Sequence, residues 1–151
     1  MYKYPIIVFE GIEGSGKTLH VKNVENYLKK KKIKFIKFRE PGGSKSSEKI
    51  RKLILSKNSN FNKLTDLLLY LAARNENYEK IIRKNYKKKI ILIDRFIDST
   101  IAYQHYGMGI NRKMIANLNK IILKNIKPDF TFLNIVSMKN LKIRLKKRLK
   151  K

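Results

Sequence analysis

Gly11-Ile12-Glu13-Gly14-Ser15-Gly16-Lys17-Thr18 fits the pattern G-x-x-x-x-G-K-[ST], a loop whose backbone cradles phosphate. Its flanks have the required character. Before it, Pro5-Ile6-Ile7-Val8-Phe9-Glu10 is a short apolar run suited to a strand buried on both faces. After it, Leu19, Val21, Val24 and Leu28 recur near helical spacing over about 17–31. The order is therefore strand, glycine loop, helix. Glycines let the chain turn tightly and point N–H groups inward, and the helix start completes an anion site. In such a loop Lys17 reaches the β/γ-phosphates and Thr18 ligates Mg²⁺.

Working outward, a second strand is predicted at Lys34 to Phe38, where alternation suggests an edge or half-covered position. It runs into Arg39-Glu40-Pro41-Gly42-Gly43, a loop that no helix continues through. Ser44 or Ser46 caps the next helix, which carries Ile50, Leu53 and Ile54 on one face. Asn62 or Thr65 opens a long helix over about 64–83, apolar all round at Leu67 to Ala73 and so expected to be buried. Ile90-Ile91-Leu92-Ile93-Asp94-Arg95-Phe96 reads as another doubly buried strand ending in an acid and a base. A helix at Ser99 to His105, a loop at Gly107 to Gly109 and a helix capped by Asn111 follow. A fourth strand is expected at Phe130 to Val136, then a basic helix carrying Leu141, Leu145 and Leu149.

Strands alternating with helices predict an α/β fold, an open parallel sheet with helices on both faces. Ligands of such sheets bind at the strands' carboxyl ends. Residues 10–18, 39–43 and 94–95 all fall there, so three separated segments converge on one cleft.

Composition sets bounds. The 151 residues, 42% of them hydrophobic, suffice for one domain with a real core. No apolar run approaches the roughly 20 residues of a membrane span, and no membrane association is expected. Absence of cysteine excludes disulfides and thiolate metal sites, and fits a reducing, cytoplasmic setting. The net charge of +26 invites a nucleic-acid reading. Yet 29 of the 37 basic residues are lysine, whereas base readout favours arginine. The lysines scatter over helix faces and turns, as in a solvated surface shaped by an AT-rich genome, and no specific nucleic acid is expected. The 11 acids say more, because Glu10, Glu13, Glu40, Asp94 and Asp98 lie in or beside the motifs.

Asp94 ends an apolar strand where an acid holds Mg²⁺ directly or through water. Arg95 beside it offers a planar fork for phosphate oxygens, or a salt bridge to Asp98 or Glu40. Tyr70 and Arg74 share a helix face at i, i+4, as do Ser99 with Tyr103 and Thr100 with Gln104. His20 and His105 have no partner pattern for a metal or a triad. No hydrolase triad or carboxylate pair is evident either. A kinase acting on a nucleoside monophosphate needs none, because its acceptor is already an anionic oxygen. Such chemistry asks for arginines at the cleft, and Arg39, Arg51, Arg74 and Arg95 lie on or next to the motif segments.

Taken together these segments resemble the thymidylate kinase family over essentially the whole chain. Phe9 to Thr18 resembles its phosphate loop and Arg39 to Gly43 its REPGG segment. Tyr70 with Ala72-Ala73-Arg74 resembles its F-x-A-A-R helix. Asp94-Arg95-Phe96 with Asp98 to Gln104 resembles its D-R-[YF]-x-D-S-T-x-A-Y-Q signature, and Pro128-Asp129 its P-D-L-T turn. The resemblance implies phosphorylation of dTMP to dTDP by ATP with Mg²⁺, in a cytoplasmic homodimer. It implies ATP on Gly11 to Thr18, and metal on Thr18 and Asp94. It implies dTMP on Glu13, Pro41, Arg51, Tyr70, Arg74, Arg95, Ser99, Tyr103 and Gln104. Within that set the ring of Tyr70 stacks on thymine and Arg74 bonds the base. Arg95 and Arg51 hold the phosphate, Glu13 lies near the 3′-hydroxyl, Tyr103 selects deoxyribose and Gln104 lies near the base. Lys17, Asp94 and Arg95 would be catalytic, joined by a lid arginine, Arg144 or Arg148, since the loop itself carries none.

Family members are longer. One expectation is a single kinase domain over 1–151 that is incomplete at its C-terminus, with the lid beginning at about 138–151 and a last strand and C-terminal helices missing. The competing one is a natural short form completed by a partner chain. Three other functional readings stay open from the residues alone: another nucleoside monophosphate kinase, an inactive phosphate-binding fragment, and a basic nucleic-acid-binding protein.

Overall fold

The computed structural model describes residues 4–149, with the side chains of residues 148 and 149 outside the description. Four strands form one parallel sheet: β1 (Ile6–Glu10), β2 (Phe35–Arg39), β3 (Ile90–Asp94) and β4 (Phe130–Leu133). Their spatial order is β2-β3-β1-β4. The two apolar runs, β1 and β3, are thus the central strands. Alternation in β2 marks an edge, as its sequence suggests.

Strand periodicity divides the core into two layers. Ile6, Val8, Ile91, Ile93 and Phe38 face one side, where they meet Tyr78, Ile82 and Leu123. Phe9, Ile90 and Leu92 face the other, against Val21 and Leu28 of helix α1 (Lys17–Lys30). Each such side chain stabilises the fold by about 1.5–3 kcal/mol on leaving water, so β3, buried on both faces, is the mechanical centre. Ser44 caps α2 (Lys45–Ile54) by accepting from the Ser47 N–H, and Asn62 caps α3 (Lys63–Asn77) by accepting from that of Thr65.

Three expectations need correction. The long helix does not run uninterrupted: α3 passes into a π-helical turn at Tyr78–Ile82 and then a short α4 (Arg83–Asn85). Nor is it buried all round. Leu67 and Leu71 are fully inside, but Leu64 and Leu68 are 46% and 48% exposed. A single chain covers only one side of this helix, leaving an apolar stripe outward. The third correction concerns β4, which stops at Leu133 rather than Val136. The Asn134 N–H still donates to the Glu10 carbonyl, after which the chain leaves the sheet and Ile135 is 83% exposed. The predicted Ser99–His105 helix is present as α5 (Ile97–Thr100) continuing in π geometry through Ile101–Gly107. Asn111 caps α6 (Arg112–Leu123), and α7 (Met138–Leu149) follows β4.

Candidate active site

The register decides where chemistry gathers. Asp94 pairs with Phe9 on one side and Arg39 on the other, and Glu10 pairs with Leu133. The carboxyl ends of all four strands therefore open on one rim, and the glycine loop, the 39–43 loop and the Asp94-Arg95 turn stand together there.

The loop is built by positive-φ glycines. Gly16 takes φ 100° where α1 begins, and a Cβ on Gly11 would lie 2.5 Å from the Asn134 carbonyl oxygen. Lys17 is 7% exposed and its Nζ donates to the Gly11 carbonyl at 2.8 Å. Burial, followed by the neighbouring charge of Arg95, lowers the Lys17 ammonium from its ordinary value. Arg51 is also lowered, by partial burial and then by Arg39. Two cations are thus held where their charge is uncomfortable, a condition that an anionic ligand relieves. Thr18 is exposed beside them.

Glu10 organises the facing wall. Its carboxylate is 3% exposed and accepts from the Phe96 N–H (2.7 Å), the Ser99 N–H (3.2 Å) and the Ser99 hydroxyl (2.6 Å). These bonds hold Arg95 at φ 69°, which costs a non-glycine residue on the order of 1 kcal/mol. The Arg95 guanidinium donates to Ser99 Oγ at 3.3 Å and Tyr103 Oη at 3.4 Å and lies over the Tyr103 ring. These, and not Asp98 or Glu40, are its hydrogen-bond partners among the described residues.

Arg74 departs most from its sequence reading. Only 2% exposed, it donates from Nε to Glu40 (2.7 Å), from Nη1 to Asn119 Oδ1 (2.6 Å), and from Nη2 to the Phe96 carbonyl (3.0 Å) and Thr100 Oγ1 (2.9 Å). Four of its five N–H groups are committed to protein, leaving one Nη1 hydrogen for a ligand. Its network also includes Asn77, which bonds Glu40 and the Gly42 carbonyl. Burial pushes the Glu40 carboxyl up, with Arg74 pulling the other way.

Two chambers share the rim. One, of about 480 Å³, is lined by Ile12, Glu13, Gly14, Gly16, Lys17 and Thr18 with Arg39, Glu40, Arg51, Asp94 and Arg95. The second, of about 300 Å³, is lined by every residue that the resemblance assigns to the nucleotide monophosphate: Glu13, Pro41, Arg51, Tyr70, Arg74, Arg95, Ser99, Tyr103 and Gln104. Glu13, Glu40, Arg51 and Arg95 border both. A larger cleft of about 590 Å³ joins this rim at Thr18, Arg39 and Asp94, but Lys29 and Lys37 within it are tied to Glu25.

The sequence and the fold around these chambers match known proteins. The family model described as "Thymidylate kinase" matches residues 9–151. The chain belongs to the thymidylate kinase family. It is 44% identical over 129 residues to the thymidylate kinase of Sulfurihydrogenibium sp., covering 84% of this chain and 63% of that one. It is 42% identical over 133 residues to that of Mycoplasma capricolum subsp. capricolum, covering 87% and 62%. The crystal structure of thymidylate kinase from Ehrlichia chaffeensis superposes with a TM-score of 0.82 at 39% identity, over 97% of this chain and 80% of that one. The chain spans about three fifths of the length of the curated thymidylate kinases that it matches.

The donor set suits Mg²⁺ carried in with a nucleotide. Asp94 Oδ1 is buried and has no hydrogen-bond partner among the described residues, and the Thr18 hydroxyl stands open. No cluster of three or more acidic, histidine or cysteine ligands occurs among the described residues, so water and phosphate oxygens would complete the shell around Thr18 and Asp94. Of the two lid candidates in this thymidylate kinase family member, Arg144 donates to the Gly14 carbonyl at 2.9 Å, directly over the loop. The Arg148 side chain lies outside the described residues. Thr100, paired with Gln104 in the sequence, turns to Arg74. Sequence reasoning missed Asn77 and Asn119, which complete the Arg74 network, and Asp66, which bonds Gln104. None of these three carries a local motif. Only the buried arginine, which needs partners from somewhere, signals that they exist.

Proposed function

We propose that this chain forms the catalytic core of an ATP-dependent dTMP kinase that makes dTDP. The supporting observation is the shared border: Arg51 and Arg95 line both the glycine-loop chamber and the one enclosing Tyr70, Arg74 and Gln104. An anion in each chamber then meets its neighbour between two guanidinium groups.

Each residue has a part that follows from its place. The loop N–H groups and Lys17 seat the triphosphate tail, and the incoming charge favours the ammonium that burial disfavours. Thr18 and Asp94 hold Mg²⁺, which supplies charge neutralisation on the donor phosphates. Arg95, braced by Ser99 and Tyr103, and Arg51, braced by the Pro41 carbonyl at 2.6 Å, hold the acceptor phosphate. Tyr70 offers its ring to the base, and Tyr103 crowds the sugar. No side chain needs to remove a proton, because the attacking phosphate oxygen is already ionised. The residues contribute alignment and charge compensation. Arg144, whose Nη1 donates to the Gly14 carbonyl of the loop, is the lid arginine of this reading.

The exposed stripe of Leu64 and Leu68 supports a homodimer formed through α3, and sedimentation of the chain as a monomer at micromolar concentration would remove that part. No helix among the described residues is long and apolar enough to cross a membrane. A cytoplasmic enzyme is the proposed setting.

Coupled ADP release with dTMP, dUMP, AMP and GMP as acceptors tests the reading. Turnover that depends on dTMP and falls with the other acceptors is expected. Equal rates across the panel, or none with a chain that still binds ATP, would overturn it.

A further inference from the structure

Gln104 is 1% exposed and lines the smaller chamber. Its amide carries a donor end and an acceptor end, and which end serves a ligand depends on what holds the other. Gln104 Nε2 donates to Asp66 Oδ2 at 3.1 Å, from the first turn of α3. A carboxylate only accepts, so it fixes the amide with nitrogen toward α3. Gln104 Oε1 is then the remaining atom. It is buried and has no hydrogen-bond partner among the described residues. Asp66 itself does not line the chamber.

We propose that Asp66 is a positioning residue that sets the hydrogen-bond polarity of the base chamber, by holding the Gln104 amide with its oxygen free to accept from the ligand. The proposal rests on the dTMP reading above and extends it to a residue that touches no substrate. Its chemistry is simple. A buried carbonyl oxygen with nothing to accept is costly, so a ligand that brings an N–H to it gains affinity. Thymine and uracil carry a hydrogen on ring N3. Cytosine carries a lone pair there, which would face the carbonyl oxygen and be repelled. The preference would thus be imposed from α3 through one bond, without Asp66 meeting the base. Discrimination of this type is strong because the wrong ligand leaves a buried polar group unpaired.

The same arrangement says what breaks it. An asparagine at position 66 can donate as well as accept. Gln104 then loses its reason to keep nitrogen toward α3 and can turn its NH₂ to the chamber, where it suits cytosine. Asp66 is half-buried, so Asp66→Asn is nearly isosteric at a tolerant position, and Asp66→Ser serves if the first variant folds poorly.

Isothermal titration of the full chain with dTMP, dUMP and dCMP, without ATP, reads the effect directly and does not depend on turnover. In the unmodified chain dTMP and dUMP should both bind more tightly than dCMP. In D66N the ratio of dTMP to dCMP affinity should fall by about tenfold, the equivalent of one hydrogen bond. Gln104→Leu should lose the same discrimination, and adding D66N to it should change nothing further. A D66N ratio equal to the unmodified one, with weaker binding of all three ligands, would make Asp66 merely structural and overturn the proposal. If the unmodified chain itself shows no preference for dTMP over dCMP, the dTMP reading fails and the proposal falls with it.

Discussion

Replacing Arg74 by methionine should damage the fold more than any single loss of a ligand contact would. The guanidinium and Glu40 form an ion pair at 2.7 Å with side chains 2% and 5% exposed. Removing one partner of such a pair leaves a buried charge without compensation, at a cost of about 4 kcal/mol. Asn119, Thr100 and the Phe96 carbonyl lose a donor at the same time. Glu40 caps the loss by taking a proton, because only the Asn77 hydrogen bond then opposes the burial that already raises its pKa. The sign follows: a carboxyl with a raised folded pKa is tolerated when protonated and destabilises as pH climbs through that value. The gap between wild type and R74M should therefore be widest near neutral pH and shrink as pH falls toward the ordinary glutamate value of 4.5. Urea unfolding at several pH values measures it, with a melting temperature lower by roughly 10 °C expected at pH 7. Adding Glu40→Gln to R74M should return part of the loss. If R74M melts within a degree or two of wild type at neutral pH, Arg74 is a free ligand group and not a keystone, and the reasoning here is wrong.

Lys17→Met should abolish the rise in melting temperature that ATP with Mg²⁺ gives the unmodified chain, about 2.7 kcal/mol of linkage at a hundredfold excess over Kd, while the unliganded protein melts no lower; a preserved shift would place the phosphates elsewhere. Gly11→Ala puts a methyl 2.5 Å from a backbone oxygen at φ 139°, so circular dichroism melting should show a loss of at least about 2 kcal/mol, since backbone cannot step aside as a side chain would. Glu25 is held down to about 2 by Lys29 and Lys37. Its contribution is complete above its ordinary value of 4.5 and is lost as pH falls toward 2, so Glu25→Gln should flatten that acid limb by a small, salt-sensitive amount, and an unchanged limb would count against the pairing.

The parts that can be read from sequence are those whose cause is local. Glycine spacing between an apolar run and a helix specifies the phosphate loop, because no other residue takes Gly16's φ of 100° freely. Ile90 to Ile93 can only be a strand with helices on both sides. Two kinds of feature escape such reading. The π turns at Tyr78–Ile82 and Ile101–Gly107 shift the hydrogen-bond register by one residue without altering composition. The Arg74 network draws on the 39–43 loop, the Phe96 turn, α5 and α6, so no window of sequence contains it. The burial of α3 failed for another reason. Apolar periodicity says that a face avoids water, not whether the same chain covers it, and Leu64 and Leu68 are left out here.

Glu10 sits at the foot of the glycine loop yet its carboxylate is spent wholly on the turn from Phe96 to Ser99, 86 residues further on. On the reading proposed above, a nucleotide entering either chamber would find the opposite wall already in register. Little ordering entropy is left to lose on capture, and thermal wobble in one wall is carried to the other as a rigid displacement. Shortening that side chain by a single methylene would uncouple the walls, and the cleft would have to be assembled afresh at every encounter.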